Sequence, residues 1–246
     1  MLRVVPLVAL AVLSSASTGL LAQKTEEGLS GDGELGVIIN GGNTENENYN
    51  SRLGLVYRTD KWTHSLGLLA NGTKEDEATT AERYQATQKS EYDLGEGDQT
   101  YLFSALRWDK DRFSGFDYQA SIALGLGFRV LNNDTQSLDL EFGPGYKISE
   151  TNATAEQESE TIEDAIARLG AFYSHQLTAT TQFTQDVLVE IGDDNTVTES
   201  ITGLQVSMTD ALALKLSYTI RNNSDVPPGS DETDTIAAVT LVYGFE

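Results

Sequence analysis

The sequence predicts an all-β protein, a transmembrane antiparallel up-and-down β-barrel of about 12 strands. Three observations carry this. Long stretches alternate apolar and polar residues with a period of two, which gives a strand one greasy and one wet face. The connections between them are alternately short and long. An export-type segment opens the chain.

The clearest strand is Phe116 to Val130, FDYQASIALGLGFRV. Phe116, Tyr118, Ala120, Ile122, Leu124, Leu126, Phe128 and Val130 form its apolar face. Asp117, Gln119, Ser121, Ala123, Gly125, Gly127 and Arg129 form a small or polar one. Tyr118 to Phe128 spans roughly 33 Å at about 3.3 Å per residue. Tilted by about 40°, it rises roughly 25 Å, the height of the apolar band on an outer-membrane barrel. A soluble β-sandwich is the competing reading of this stretch alone.

In chain order, Met1–Ala22 has an early Arg3, an apolar run from Val4 to Leu13 and then small residues, the layout of a secretory signal peptide. Cleavage is expected after Ala22, with Ala16 as runner-up. Gln23 to Asp32 reads as a polar lead-in and Gly33 to Glu246 as the barrel. Strands are expected at Gly33–Gly41, Asn46–Arg58, Lys61–Gly72, Ala81–Leu94, Gln99–Asp109, Phe116–Val130, Ser137–Ile148, Ile162–His175, Ala179–Ile191, Thr196–Met208, Ala211–Asn222 and Thr233–Phe245. In the eighth, IEDAIARL also fits a short helix. These strands are long beside the about five or six residues typical of soluble sheets. Short turns (Thr59-Asp60, GEGD, LNNDT, Gln176-Leu177, Thr209-Asp210) alternate with connections that tend to be longer or more acidic, such as TKEDEATT, SETNATAEQESET and NSDVPPGSDE. Barrels of the outer membrane show this asymmetry, with periplasmic turns short and outer loops long. Leu241, Tyr243 and Phe245 give the last strand the alternation and aromatic expected of a substrate of the barrel-assembly machinery, although Glu246 follows.

Composition narrows the function classes. The 246 residues contain no cysteine, which removes thiol chemistry, disulfides and a lipid-anchor cysteine. With 38 acidic and 16 basic residues the net charge is -22, which argues against nucleic acid as a partner. No apolar run after the export segment reaches the about 20 residues of a membrane helix, so a closed barrel is the spanning option that remains.

Several segments resemble the DUF481 (YdiY-like) family, also called salt-induced outer membrane proteins. They are GGNTENENYNSRLGLVYRTDKW (Gly41 to Trp62), TAERYQA (Thr80 to Ala86), DRFSGFDYQASIALGLGFRV (Asp111 to Val130) and FGPGYK (Phe142 to Lys147). The resemblance implies a β-barrel in the outer membrane of a Gram-negative bacterium; outer-membrane lipid and lipopolysaccharide are the partners expected of a barrel so placed. It implies no catalytic residues.

Strand parity places Arg52, Arg58, Arg83, Lys89, Glu91, Asp93, Arg129, Lys147, Lys215 and Arg221 on the lumen side. Two readings stand side by side: a charged channel lining, or opposite charges paired inside a plugged barrel. Tyr57, Trp62, Phe116, Tyr118, Phe128, Tyr218, Tyr243 and Phe245 are candidates for aromatic girdles. Ser121, Ala123, Gly125 and Gly127 mark where the lumen should have most room. His64 and His175, with Ser65, Ser90 or Ser174, are the residues a lipid-acting enzyme would need, but no nucleophile-elbow motif surrounds them. Acidic loop residues such as Glu75, Glu158, Asp193 and Asp231 are candidates for divalent cations, without calcium-loop spacing. No resident metal or cofactor is expected. The chain thus reads as a small pore or an envelope-integrity, salt-response barrel. The alternatives are an outer-membrane lipid-acting enzyme and a soluble periplasmic β-protein that binds an apolar ligand.

Overall fold

Strict two-residue alternation lets each strand pair on both edges while presenting one face outward, and a ring of such strands has no free edge. The computed structural model describes residues 27–40, 46–75, 78–95, 99–112, 114–153, 158–193, 195–226 and 231–245. The export segment expected at Met1–Ala22 lies outside the described residues.

Twelve strands follow in order: β1 (Gly28–Asn40), β2 (Asn46–Arg58), β3 (Trp62–Glu75), β4 (Ala78–Leu94), β5 (Thr100–Asp111), β6 (Phe116–Asn132), β7 (Gln136–Thr151), β8 (Thr161–Gln176), β9 (Thr181–Ile191), β10 (Thr196–Ser207), β11 (Leu212–Asn223) and β12 (Thr233–Phe245). Each pairs antiparallel with its sequence neighbours, and β12 returns to β1 to close the barrel. β8 is strand throughout. The IEDAIARL helix alternative fails because Ile162–Ile166 are laddered to Gly145–Ser149 of β7. β1 starts at Gly28 rather than Gly33, since Gly28–Asp32 pair with Gly54–Arg58; part of the expected lead-in is therefore barrel wall.

The outside of the ring carries side chains that a soluble protein would bury. Leu35 and Leu124 are each 58% exposed and Leu216 is 55% exposed. A continuous belt of this kind is solvated by acyl chains rather than water. Tyr57, Trp62, Phe128, Tyr218 and Tyr243 stand exposed on this face. Trp62 stacks on His64 at 5.5 Å and meets Tyr92 at 4.9 Å. Phe245 lies outward at the foot of β12, where its ring covers Gly31 so closely that a Cβ there would meet it at 2.6 Å.

Phe116 departs from the girdle expected for it. Its register to β7 shifts between Phe116 and Tyr118, and the extra residue at this bulge turns the Phe116 ring inward. Phe116 is 4% exposed and belongs to no girdle, whereas Tyr118 keeps the outward parity.

The FGPGYK segment has a backbone role. A Cβ on Gly143 would run into the Leu124 carbonyl oxygen, and one on Gly145 would lie 2.6 Å from that of Ile122. The β6–β7 register runs to Ala123↔Gly145 and resumes at Leu126↔Phe142. Pro144 has no N–H to give to that stretch, so glycines on either side let the two backbones close up.

Candidate functional site

Parity sends a dense set of charges into the lumen, and long side chains from facing walls meet there. At the centre is Asp109 on β5, 2% exposed. Its Oδ1 accepts from Arg83 Nε (2.9 Å) and Arg221 Nη1 (3.1 Å). Its Oδ2 accepts from Arg83 Nη2 (2.8 Å), Gln85 Nε2 (2.8 Å) and Arg107 Nη2 (3.1 Å). Glu199 on β10 takes Arg107 at 3.0 and 2.8 Å and Arg83 at 3.0 Å. Arg221 Nη2 donates to Gln119 Oε1 at 2.7 Å.

These bonds cross the tube. In the ring of twelve, β4 stands opposite β10 and β5 opposite β11. A round ring of that size, at about 4.8 Å strand spacing and about 40° tilt, is roughly 24 Å across between backbones. One arginine and one glutamate fall well short of that, so the ring is pinched along this axis. Arg83, Arg107, Asp109, Glu199 and Arg221 form a septum in its outer half that divides the lumen into two compartments.

The compartment under β4–β9 is filled. Lys89 bonds Glu141 (2.7 Å) and Glu91 (2.8 Å), with Phe172 beneath its ammonium at 4.8 Å. Tyr101 donates to Glu141 at 2.9 Å. Arg129 pairs with Asp93 (2.7 Å) and Glu91 (3.3 Å) and lies over the Tyr101 ring at 4.6 Å. Tyr101, Phe103, Ala105 and Ala123 make an apolar cluster inside the barrel. The roomy stripe expected beside Ser121–Gly127 is therefore absent. A Cβ on Gly125 would meet the Phe103 ring and one on Gly127 the Tyr101 ring, because β5 aims its aromatics into the space those glycines leave. Ser121 is occupied by Glu190, at 2.8 Å. Lys147 is 4% exposed, and its Nζ has no hydrogen-bond partner. It lies against a cavity of about 10 Å³ shared with Arg107, Glu190 and Arg221.

The compartment under β11, β12 and β1–β3 is more open. Arg52 is 43% exposed at its side chain and reaches Glu34 at 3.8 Å. Lys215 bonds the same carboxylate at 2.6 Å. Arg58 is half-buried at the foot of β2. Above, a cavity of about 400 Å³ is lined by Asn48, Asn50, Asn71 and Thr73, with Arg83 at its floor and Asp111 and Asp234 at its side. All ten lumen candidates thus lie on inward parity. Sequence reading missed the anionic half of the septum, Asp109 and Glu199, and Arg107 with them. Their alternation within β5 and β10 was a usable signal.

On the outward face His64 Nδ1 lies 2.7 Å from Ser90 Oγ, which also takes Gln88 Nε2 at 2.7 Å. Ser65 and Ser174 have the opposite parity to the histidines. Ser90 is laddered on both sides, to His64 and to Ser104, so the backbone around it presents no cradle of free N–H groups for an oxyanion. Among the described residues no cluster of three or more His, Asp or Glu could hold a metal ion; Asp76, Glu77, Glu156 and Asp194 of the acidic loops lie outside them.

The comparisons agree with this architecture. The translocator domain of the autotransporter NalP from Neisseria meningitidis superposes with a TM-score of 0.51 at 16% identity, over 91% of this chain and 90% of that one. The COG4313 outer membrane channel from Pseudomonas putida F1 gives 0.53 at 13% identity, over 94% and 100%. At these identities the likeness is one of fold, that of outer-membrane β-barrels. In sequence, the uncharacterized protein YdiY of Escherichia coli K12 is 29% identical over 215 residues, 87% of this chain and 82% of its relative. Residues 33–245 match the family described as protein of unknown function, DUF481, and the chain belongs to that family.

Proposed function

We propose that this protein is a small outer-membrane pore that rests closed, with the ion-paired septum as its closure and the β1–β3 side of the lumen as its path. The observation that carries the reading is the set of bonds between opposite walls, Arg83 to Glu199 and Arg221 to Asp109. A scaffold could be filled with apolar side chains at no such desolvation cost. A lumen closed by charge can be reopened by water once the pairs part. Arg83 of the septum is what closes this path: it floors the polar outer cavity, and the exposed Arg52 lies on the same side of the lumen beneath it. High ionic strength weakens ion pairs as they separate, so a closure of this kind opens more readily as salt rises.

The test is planar-bilayer conductance of the purified barrel. The wild type should show rare, small openings, and Glu199→Gln should open far more often, because Arg83 and Arg107 then lose a shared carboxylate. A correctly folded Glu199→Gln barrel that stays silent at every salt concentration would remove the pore reading and leave an envelope-integrity scaffold.

A further inference from the structure

The ring closes unevenly. β1 and β2 are laddered along their whole lengths, from Gly28↔Arg58 to Asn40↔Asn46. β11 and β12 are laddered from Leu212↔Tyr243 to Asn222↔Thr233. Between β1 and β12, however, the register runs only from Gly31↔Phe245 to Leu35↔Leu241 and stops. The foot of this seam is latched by Phe245 over Gly31. At Gly36 the strands still touch, since a Cβ there would lie 2.8 Å from the Val239 carbonyl oxygen. Beyond that point the register gives, among the described residues, no pair between Val37–Asn40 and Thr233–Val239.

This parting lies within the apolar belt. Val239 is level with Leu216, and Ala237 with Tyr218, both exposed on the outward face. Unpaired strand edges are not tolerated against hydrocarbon unless water or protein satisfies them. The outer cavity meets that condition. It is lined by Asn50 and Asn71 and by the whole run from Asp234 to Val239, so it borders the parted seam from within.

We infer that the upper β1–β12 seam is a lateral portal that admits an acyl-chain lipid of the outer leaflet. The headgroup lies in the polar cavity and the chain leaves past Ala237 and Val239. About 400 Å³ suits a headgroup. The amides of Asn50 and Asn71 suit hydroxyl or ester oxygens, and Asp111 and Asp234 favour a headgroup bearing an amine over a purely anionic one. This inference goes beyond the pore reading and holds whether or not the lumen conducts.

The test places a photo-crosslinking benzophenone residue at Asn50, inside the cavity, in the full-length protein in its native membrane. Lumen-facing Thr219 and lipid-facing Leu216 are the two controls, and heat-modifiable migration verifies folding of each variant. Mass spectrometry of the adducts should find acyl lipid at Asn50 and Leu216 and none at Thr219. Adding Ala238→Trp, which fills the portal from within, should abolish the Asn50 adduct and leave that at Leu216. Absence of lipid at Asn50, a polypeptide adduct there, or an adduct that survives Ala238→Trp would each overturn the lateral route.

Discussion

Asp109→Asn is the sharpest test of the septum. The substitution keeps the shape of the side chain and removes its charge. Five donors converge on the Asp109 oxygens. Whichever oxygen becomes an amide nitrogen, at least two of those donors then face another donor. Arg83, Arg107 and Arg221 share two carboxylates in the wild type and would share one in the variant. Removing one partner of a buried pair costs about 3–5 kcal/mol, because the opposing charge stays buried. With three guanidiniums affected, we expect about 4 kcal/mol. At a slope of roughly 2 kcal/mol per molar urea this lowers the midpoint by about 2 M. The assay is urea titration of the barrel refolded into lipid vesicles, followed by fluorescence of Trp62 and Trp108, which both face outward, and by heat-modifiable migration. Arg221→Gln on top of Asp109→Asn should cost much less than it does alone, with a coupling of about 1–3 kcal/mol. A midpoint within about 0.3 M of wild type, or strictly additive effects, would refute the septum as a structural unit.

Three further outcomes follow from the same geometry. Leu124→Arg puts a charge on the outward face near mid-height and should cost about 2–4 kcal/mol in the vesicle titration; a neutral result would remove the lipid-facing assignment of β6. Gly143→Ala drives a methyl into the Leu124 carbonyl and should destabilise by about 1–3 kcal/mol, whereas Gly33→Ala, where a Cβ meets nothing, should be near neutral; equal effects would contradict the close β6–β7 approach. Channel opening should rise between about 0.1 and 1 M salt more steeply than bulk conductivity, as the screening length shrinks from about 10 to about 3 Å; a strictly proportional response would speak against an ion-paired closure.

Much of the architecture was legible because parity is local. Phe116–Val130, the β11 run and the terminal Leu241-Tyr243-Phe245 each declare a strand and a face without reference to any partner. Strand number and the short-long rhythm of the connections follow from turn chemistry, which is also local. Parity fails where a single extra residue is inserted: the bulge before Tyr118 inverts Phe116, and no composition signal marks it. Whether the lumen is open or filled is not local at all. The Gly125 and Gly127 stripe reads as room until Phe103 and Tyr101 of the neighbouring strand are placed in it. The partners of Arg83 and Arg221 lie more than a hundred residues away in sequence, at Glu199 and Asp109, and only closure of the ring brings them within reach. The uneven β1–β12 seam is a property of that closure too.

The aromatic cluster of Tyr101, Phe103, Ala105 and Ala123 has a mechanical consequence. It makes one side of the tube a solid. The wall from β4 to β8 is backed by packed rings and paired charges and resists bending as a globular core does. The wall from β11 through β1 to β3 is backed only by the looser Lys215–Glu34–Arg52 group and closed by one short ladder. Any change in cross-section will therefore be taken up on that side, with the β4–β8 wall as the fixed frame against which the thin wall flexes.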